Sequence, residues 1–445
     1  MAESLIALIG ALACYLLGVM VVIRWPQVGF GAIALFMATA WHIPQWPSVL
    51  NFLGLSASVP DFLCAVLATA MLVTAVPSGS RLSSRGIKIA VQVFLAMLVF
   101  SVVRGLWYFG FASALNEVRP WLYIVIITVW TVRTLVDHDE GQRWAQAWII
   151  YSGVLVMFVG LINVAQFGLG SASTAVRSSS GDILEAGRPI TSGQAVALAA
   201  CVVVSLWTWR ATKRRLYLPL SLGAAICVVV AQHRSVWVAL AAALVVSLLA
   251  IEVHHRLVTI FATCVGAVSI ILLSNGGLLG QIPDLLSSSA SDSRTYAGRV
   301  YDWLVLINRS VRSGPQTIIF GFPSGTGWWR YREDGLRIGY IPHNWYVATY
   351  LRVGIVGLVG MLAIAWIAIV RNWKAPLNGA NLSLIALILV YGWAYNFQWY
   401  LAPLLGVIIW SSFFKGARIS NPSAPSRPMR HDQIGISAAA GGRNE

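Results

Sequence analysis

Lysine is nearly missing from this 445-residue chain: there are four, Lys88, Lys213, Lys374 and Lys415, among 31 basic residues. Charge of either sign is scarce too, at 11% of residues, against about 25% in a soluble domain. With 58% apolar residues and a mean hydropathy of +0.74, the soluble class is excluded and lipid is the solvent for most of the chain. Cysteine is sparse, and Cys14, Cys64, Cys201, Cys227 and Cys264 all fall in apolar stretches without metal-ligand spacing. That excludes a thiolate zinc site and a disulfide framework, and leaves small core residues. No period of about 20–50 residues recurs, which excludes repeat architectures. Met1-Ala2-Glu3-Ser4 lacks a basic n-region and the apolar run continues to Ile23, which argues against a cleavable signal peptide. The net charge of +15 does not indicate nucleic acid, because no basic run with interleaved aromatics lies outside the apolar segments.

What is present is a succession of apolar segments. A helix needs about 20 apolar residues to cross the ~30 Å hydrocarbon core. Candidates run over 5–23, 28–40, 62–76, 87–103, 121–136, 144–167, 190–209, 216–231, 236–253, 258–273 and 345–370. A last stretch, 382–414, is too long for one span and is broken near Asn396-Phe397-Gln398-Trp399. The expectation is an all-α polytopic integral membrane protein of about 12–14 transmembrane helices. Residues 1–274 form a transmembrane helix bundle, 275–343 one large loop containing helices, 344–415 the C-terminal transmembrane helices, and 416–445 a disordered tail.

Basic residues set the orientation. Arg81, Arg85 and Lys88, then Arg133 and Arg143, then Arg210 to Arg215, His255 and Arg256, and Arg371 with Lys374 mark alternate connections as cytoplasmic. All four lysines fall on that side, so the 275–343 loop is expected to face outward with seven arginines and no lysine. Arginine without lysine favours the planar fork that grips phosphate or carboxylate through two parallel hydrogen bonds. Pairing with loop acids such as Asp292, Asp302, Glu333 and Asp334 is the plainer alternative.

Within the loop, Ser293 can cap a helix running to Arg312, with Val300, Trp303, Leu304, Ile307 and Val311 at helical spacing. It begins at Arg294 and carries Arg299, which at i and i+3 can pair with Asp302 on the surface. Other arginines stand at the mouths of spans: Arg188 before Pro189, Arg234 in the tight Gln232-His233-Arg234-Ser235 turn, and Arg119 before Pro120-Trp121. Ionisable groups there are candidates for function, with interfacial snorkelling the alternative. His343-Asn344 opens the span after the loop. Its imidazole can exchange a proton near neutral pH, although a lone histidine at a helix start is more often structural. Arg352, nine residues on, falls on roughly the opposite helical face.

The run His343-Asn344-Trp345-Tyr346, continuing to Gly354-Ile355-Val356-Gly357, resembles the signature of the O-antigen ligase and O-antigen polymerase family of bacterial envelope glycosyltransferases. Arg234-Ser235 opening a span, Arg299 to Trp303, the turn Ile319 to Gly327, and Arg188-Pro189 match that family in order, with Gln194 where it commonly has asparagine. The resemblance covers about 188–370. It implies a GT-C-like membrane enzyme in the bacterial inner membrane, with its active site facing the periplasm. Such an enzyme moves a glycan from an undecaprenyl-diphosphate carrier to an acceptor hydroxyl. It also implies that Arg188, Arg234 and Arg299 hold the diphosphate, that His343 serves the acceptor hydroxyl, and that Arg119, Asn344 and Arg294 line the substrate side. No metal or cofactor is implied. The partners are the lipid-linked donor, a glycan or lipid A-core acceptor, and the bilayer. Arg352 departs from the family pattern and suggests a remodelled acceptor side. A ligase is the preferred expectation, a polymerase of the same family the alternative. A lipid-linked glycan flippase is the rival from another class, disfavoured because the spans carry almost no charge inside.

Overall fold

A computed structural model describes residues 2–40, 42, 48–52, 55–74, 85–138, 140–169, 176–177, 183–184, 188–250, 294–331, 335, 337–373 and 379–413. The expected span 258–273, the cap Ser293, the acids Asp292, Glu333 and Asp334, and the tail 416–445 lie outside the described residues. The helices are α1 (Ala2–Arg24), α2 (Pro26–Thr39), α3 (Val59–Val73), α4 (Arg85–Asp137), α5 (Gly141–Phe167), α6 (Ser192–Thr212) and α7 (Tyr217–Val230). They continue with α8 (Arg234–Ala250), α9 (Arg294–Arg312), α10 (Pro315–Phe320), α11 (Trp345–Trp373), α12 (Gly379–Ala394) and α13 (Ala402–Phe413). Short antiparallel strand pairs join Ser48–Phe52 to Leu55–Ser58, Val176–Arg177 to Ile183–Leu184, and Arg330–Tyr331 to Arg337–Ile338.

The protein is an all-α membrane protein. Among the described residues, α4, α5, α6 and α11 are long and apolar enough to cross a membrane, and α1 with α2 makes a fifth span if that bent pair counts as one. The remaining apolar helices have 10–17 residues, fewer than the about 20 of an upright crossing. The first two expected spans meet at a 114° bend at Trp25-Pro26. Proline lacks an N–H and pushes the preceding residue into extended backbone, and Trp25 has φ −133° and ψ 79°.

At the centre stands α6, whose residues from Ser192 to Ser205 are all buried. Its run of Ala, Val and Gly lets α5, α7, α8 and α12 pack around it, as small side chains permit close backbone approach. Thr191 and Gln194 cap its start reciprocally: the Gln194 N–H donates to the Thr191 hydroxyl at 3.3 Å, and the Thr191 N–H donates to Gln194 Oε1 at 2.8 Å. Gln194 Nε2 then donates to the Met37 and Ala38 carbonyls at 2.9 and 2.8 Å. Gln194 thus starts α6 and ties it to the end of α2.

Two helices are broken, and the glycine-rich turn lies against both breaks. In α4 the expected spans 87–103 and 121–136 form one element interrupted at Gly110 (φ 78°, ψ 172°). In α11 the interruption is Gly354 (φ 65°, ψ −173°), where a side chain would overlap the Ile319 carbonyl. An unbroken helix would offer the Leu351 carbonyl to Ile355; here the Phe322 N–H takes it at 2.7 Å. The rest of the turn is satisfied by protein as well. Arg104 donates to the Gly321 carbonyl at 3.0 Å, the Ser101 hydroxyl donates to the Phe322 carbonyl at 3.1 Å, and the Ser324 N–H donates to the Ser101 carbonyl at 3.0 Å. The Gly325 and Gly327 N–H groups donate to the Glu117 carboxylate, the latter at 3.2 Å. Buried irregular backbone needs such partners in full. Gly321, Gly325, Gly327 and Gly354 therefore act as packing and turn residues.

Arg352 completes this joint. It ion-pairs with Glu117, donates to the Pro323 carbonyl at 3.1 Å, and stacks its guanidinium 4.1 Å from the Trp328 ring centroid. Its side chain is 1% exposed and that of Glu117 8%. Arg352, which departs from the pattern of the resembled family, thus fastens the loop to α4. The pair is a buried charge pair among described spans that carry almost no other charge inside.

Candidate functional site

Five separate stretches of chain converge on one polar cluster. Arg188 arrives just ahead of α6, His233 from the turn between α7 and α8, Arg299 from α9, His343 just ahead of α11, and Tyr395 just past the end of α12. Each arrival has a local cause. Pro189 keeps Arg188 out of the helix, and Asn163 Nδ2 holds the Pro189 carbonyl at 2.7 Å. Gln232 adopts a left-handed φ of 57° and donates to the Leu169 carbonyl at 3.2 Å, so the chain reverses and His233 is fully buried. Tyr395 begins the non-helical stretch that ends α12, in the break expected near Asn396.

The hydrogen bonds fix the state of His233. Arg188 Nη1 lies 2.9 Å from Nδ1, and the Ile190 carbonyl lies 2.9 Å from Nε2. A guanidinium only donates and a carbonyl only accepts. Nδ1 therefore carries the lone pair, Nε2 carries the hydrogen, and the ring is neutral. Burial first, and then Arg188 and Arg299, hold its pKa down at about 3 despite the opposing bond to Ile190.

Tyr395 stands between the two histidines, with ring centroids 6.1 Å from His233 and 5.9 Å from His343, both edge-on. The Arg299 guanidinium lies 4.7 Å from its ring centroid and donates to the Ala394 carbonyl at 3.1 Å. His343 sits deep in the fold yet partly accessible. Burial, then the charges of Arg299 and Arg330, lower its pKa well below 6.5. Arg330 itself is buried, ion-paired to Asp302 at 3.1 Å, bonded to the Tyr340 carbonyl at 2.9 Å and stacked on the Tyr340 ring, which in turn lies against His343.

The expected site residues are thus sorted. Arg188, Arg299 and His343 come together. Arg234 opens α8, partly exposed, and its neighbour His233 is the residue that meets Arg188. Arg119 is engaged elsewhere: its Nε pairs with Asp61 at 3.2 Å in a network with Tyr123. The expected Arg299–Asp302 pair is corrected as well, because Asp302 neutralises the more deeply buried Arg330. Asn344 is the N-cap of α11, its Oδ1 accepting from the Val347 N–H at 3.0 Å, so its role is to fix the backbone beside His343. Arg294 is the first residue of α9. On that helix the apolar stripe is divided, with Trp303 and Leu306 buried and Leu304 and Val311 exposed. Two residues of the cluster were not foreseen, His233 and Tyr395. The available signals were a polar residue inside a four-residue turn between apolar spans, and an aromatic at a helix break.

The sequence matches no protein-family model and no curated protein. The chemistry is accordingly read from the cluster itself. Arg299 charges the surroundings of a neutral, partly accessible imidazole at His343, and Arg188 joins the same cluster through His233 and Tyr395. That arrangement suits an anionic ligand with oxygens for the guanidinium forks and a neighbouring hydroxyl whose proton the imidazole can accept.

The buried histidines also set a pH dependence. Their folded pKa values lie below the unfolded 6.5, so below pH 6.5 the unfolded chain binds more protons and stability falls with pH. The stability they contribute is present above about pH 6.5 and is lost as pH falls toward about 3. The thermal midpoint of the purified protein in detergent is expected to drop between pH 7.5 and pH 5. The His233→Gln variant should drop less steeply, and an equal slope would remove His233 as a source.

Proposed function

We propose that the protein is a membrane glycosyltransferase of the O-antigen ligase type, GT-C-like in architecture. It transfers a glycan from undecaprenyl diphosphate to an acceptor sugar hydroxyl on the periplasmic side. The observation that carries this reading is the convergence of Arg188, Arg299 and His343 from three distant motifs, each of which resembles the same family in the same order. Arg188 and Arg299 bind the diphosphate and stabilise the charge that develops on it as leaving group, which fixed guanidinium groups do without reorganisation. His343 accepts the acceptor's proton. Burial, and then Arg299 and Arg330, depress its basicity; a bound diphosphate offsets the part that comes from the two charges. The same geometry serves a polymerase, whose acceptor is the end of another lipid-linked chain.

The deciding experiment incubates the purified protein with undecaprenyl-diphosphate-linked glycan and either lipid A-core or a second carrier-linked glycan. Release of undecaprenyl diphosphate with growth of one acceptor is expected, and no release with any acceptor would overturn the proposal. Arg188→Lys keeps the charge but loses the fork. It is expected to lower kcat/KM by about 10²-fold, the scale of one transition-state donor; wild-type activity would reduce Arg188 to anchoring.

A further inference from the structure

The Tyr395 hydroxyl shares its acceptor with Arg188 and holds it only at long range. Its nearest partner is His233 Nδ1, at 3.4 Å, long against the 2.7–2.8 Å usual for a hydroxyl donor. That nitrogen has a single lone pair, and Arg188 approaches it at 2.9 Å. The other nitrogen of the ring is spent on the Ile190 carbonyl. His233 is thus saturated by a donor that cannot change role, and the phenol is left with a donor to give.

Everything else about Tyr395 is fixed. Its ring is 5% exposed, stacked on Tyr391 at 5.4 Å and 18°, covered by the Arg299 guanidinium, and edged by His343. Its backbone N–H donates to the Tyr391 carbonyl at 3.1 Å. It lies at the end of α12, in irregular backbone that an apolar bundle tolerates only where it is enclosed by protein or lines a cavity. A buried hydroxyl without a good acceptor is costly, unless a ligand supplies one.

We propose that Tyr395 is a ligand-binding residue, donating its phenol hydrogen to an oxygen of the bound diphosphate that Arg188 also holds. His233 acts behind it as a positioning residue, keeping Arg188 in place by a lone pair that stays unprotonated at physiological pH. This inference rests on the glycosyltransferase reading for the nature of the ligand and names two further residues of that site. The class of ligand it selects is a phosphoanhydride or phosphate ester with at least two oxygens facing the cluster, one for the guanidinium and one for the phenol.

The Tyr395→Phe variant tests it, because phenylalanine keeps the contacts to Tyr391, Arg299 and both histidines and removes only the hydroxyl. Full-length wild-type and variant protein in detergent are titrated with undecaprenyl diphosphate, and in parallel with inorganic pyrophosphate, while the thermal midpoint without ligand is recorded. The expected result is a Kd raised about tenfold in the variant for both probes, the scale of a hydrogen bond to a charged group, with the ligand-free midpoint unchanged. His233→Phe, which removes the lone pair, should weaken binding similarly, and His233→Gln, which restores an acceptor, should recover most of it. Wild-type affinity in a folded Tyr395→Phe protein overturns the inference and leaves the proposed function standing. Absence of binding to either probe by the wild type overturns both.

Discussion

Replacing His343 with alanine is expected to reduce glycan transfer by about 10²–10⁴-fold, the range of a lost general base, while the protein still folds and binds the carrier diphosphate. The reasons are local. His343 makes ring contacts with Tyr340 and Tyr395 but is not the cap of its helix, a task that Asn344 performs. Its removal leaves Arg188 and Arg299 with their own partners, so the anion-binding side persists. Donor affinity and thermal midpoint should therefore stay near wild type while turnover collapses. A variant that transfers glycan at the wild-type rate would remove the assignment. One that no longer binds the diphosphate would make His343 a binding residue instead of a base.

The second large effect is on stability and concerns Glu117. Glu117→Gln leaves Arg352 buried with its charge unpaired, and breaking such a pair from one side costs about 3–5 kcal/mol. The carboxylate also receives the Gly325 and Gly327 N–H groups, which an amide oxygen serves less strongly than an anion. The thermal midpoint should fall sharply, and limited proteolysis should cut the loop near Gly325. Adding Arg352→Met removes the stranded charge and is expected to recover much of the loss, as exchanging both members of a buried pair for uncharged groups commonly does. A single variant as stable as the wild type would show that the pair holds nothing in place.

Much of the architecture was legible because the bilayer imposes simple rules. Long apolar runs announced α4, α5, α6 and α11. Breaks inside a span were harder to read. Gly354 sits in hydropathic surroundings that look continuous, while Gly110 lies between two expected spans that form one element; the approach of the 321–327 turn explains why the helices interrupt at both. For the cluster, the sequence singled out Arg188, Arg299 and His343. Charge alone could not say which arginine pairs with which acid, since Asp302 lies three residues from Arg299 yet joins Arg330, 28 positions away. His233 and Tyr395 were hidden because their importance comes from neighbours on other helices. The Arg119–Asp61 pair was hidden for the same reason, since Asp61 lies on α3 and no local pattern connects the two.

The fastened glycine turn has a consequence for chain statistics. A loop tied down only at its ends pays a closure entropy that grows with the logarithm of its length, and its middle wanders accordingly. Here Glu117 and the interrupted helices pin residues 321–327 within the loop. Between that pin and His343 the chain is held again, by Arg330 on Asp302 and the Tyr340 carbonyl and by the strand pair Arg330–Tyr331 with Arg337–Ile338. The spread of positions open to the imidazole narrows accordingly, so the reach of a reactive side chain is set by the knots in its leash.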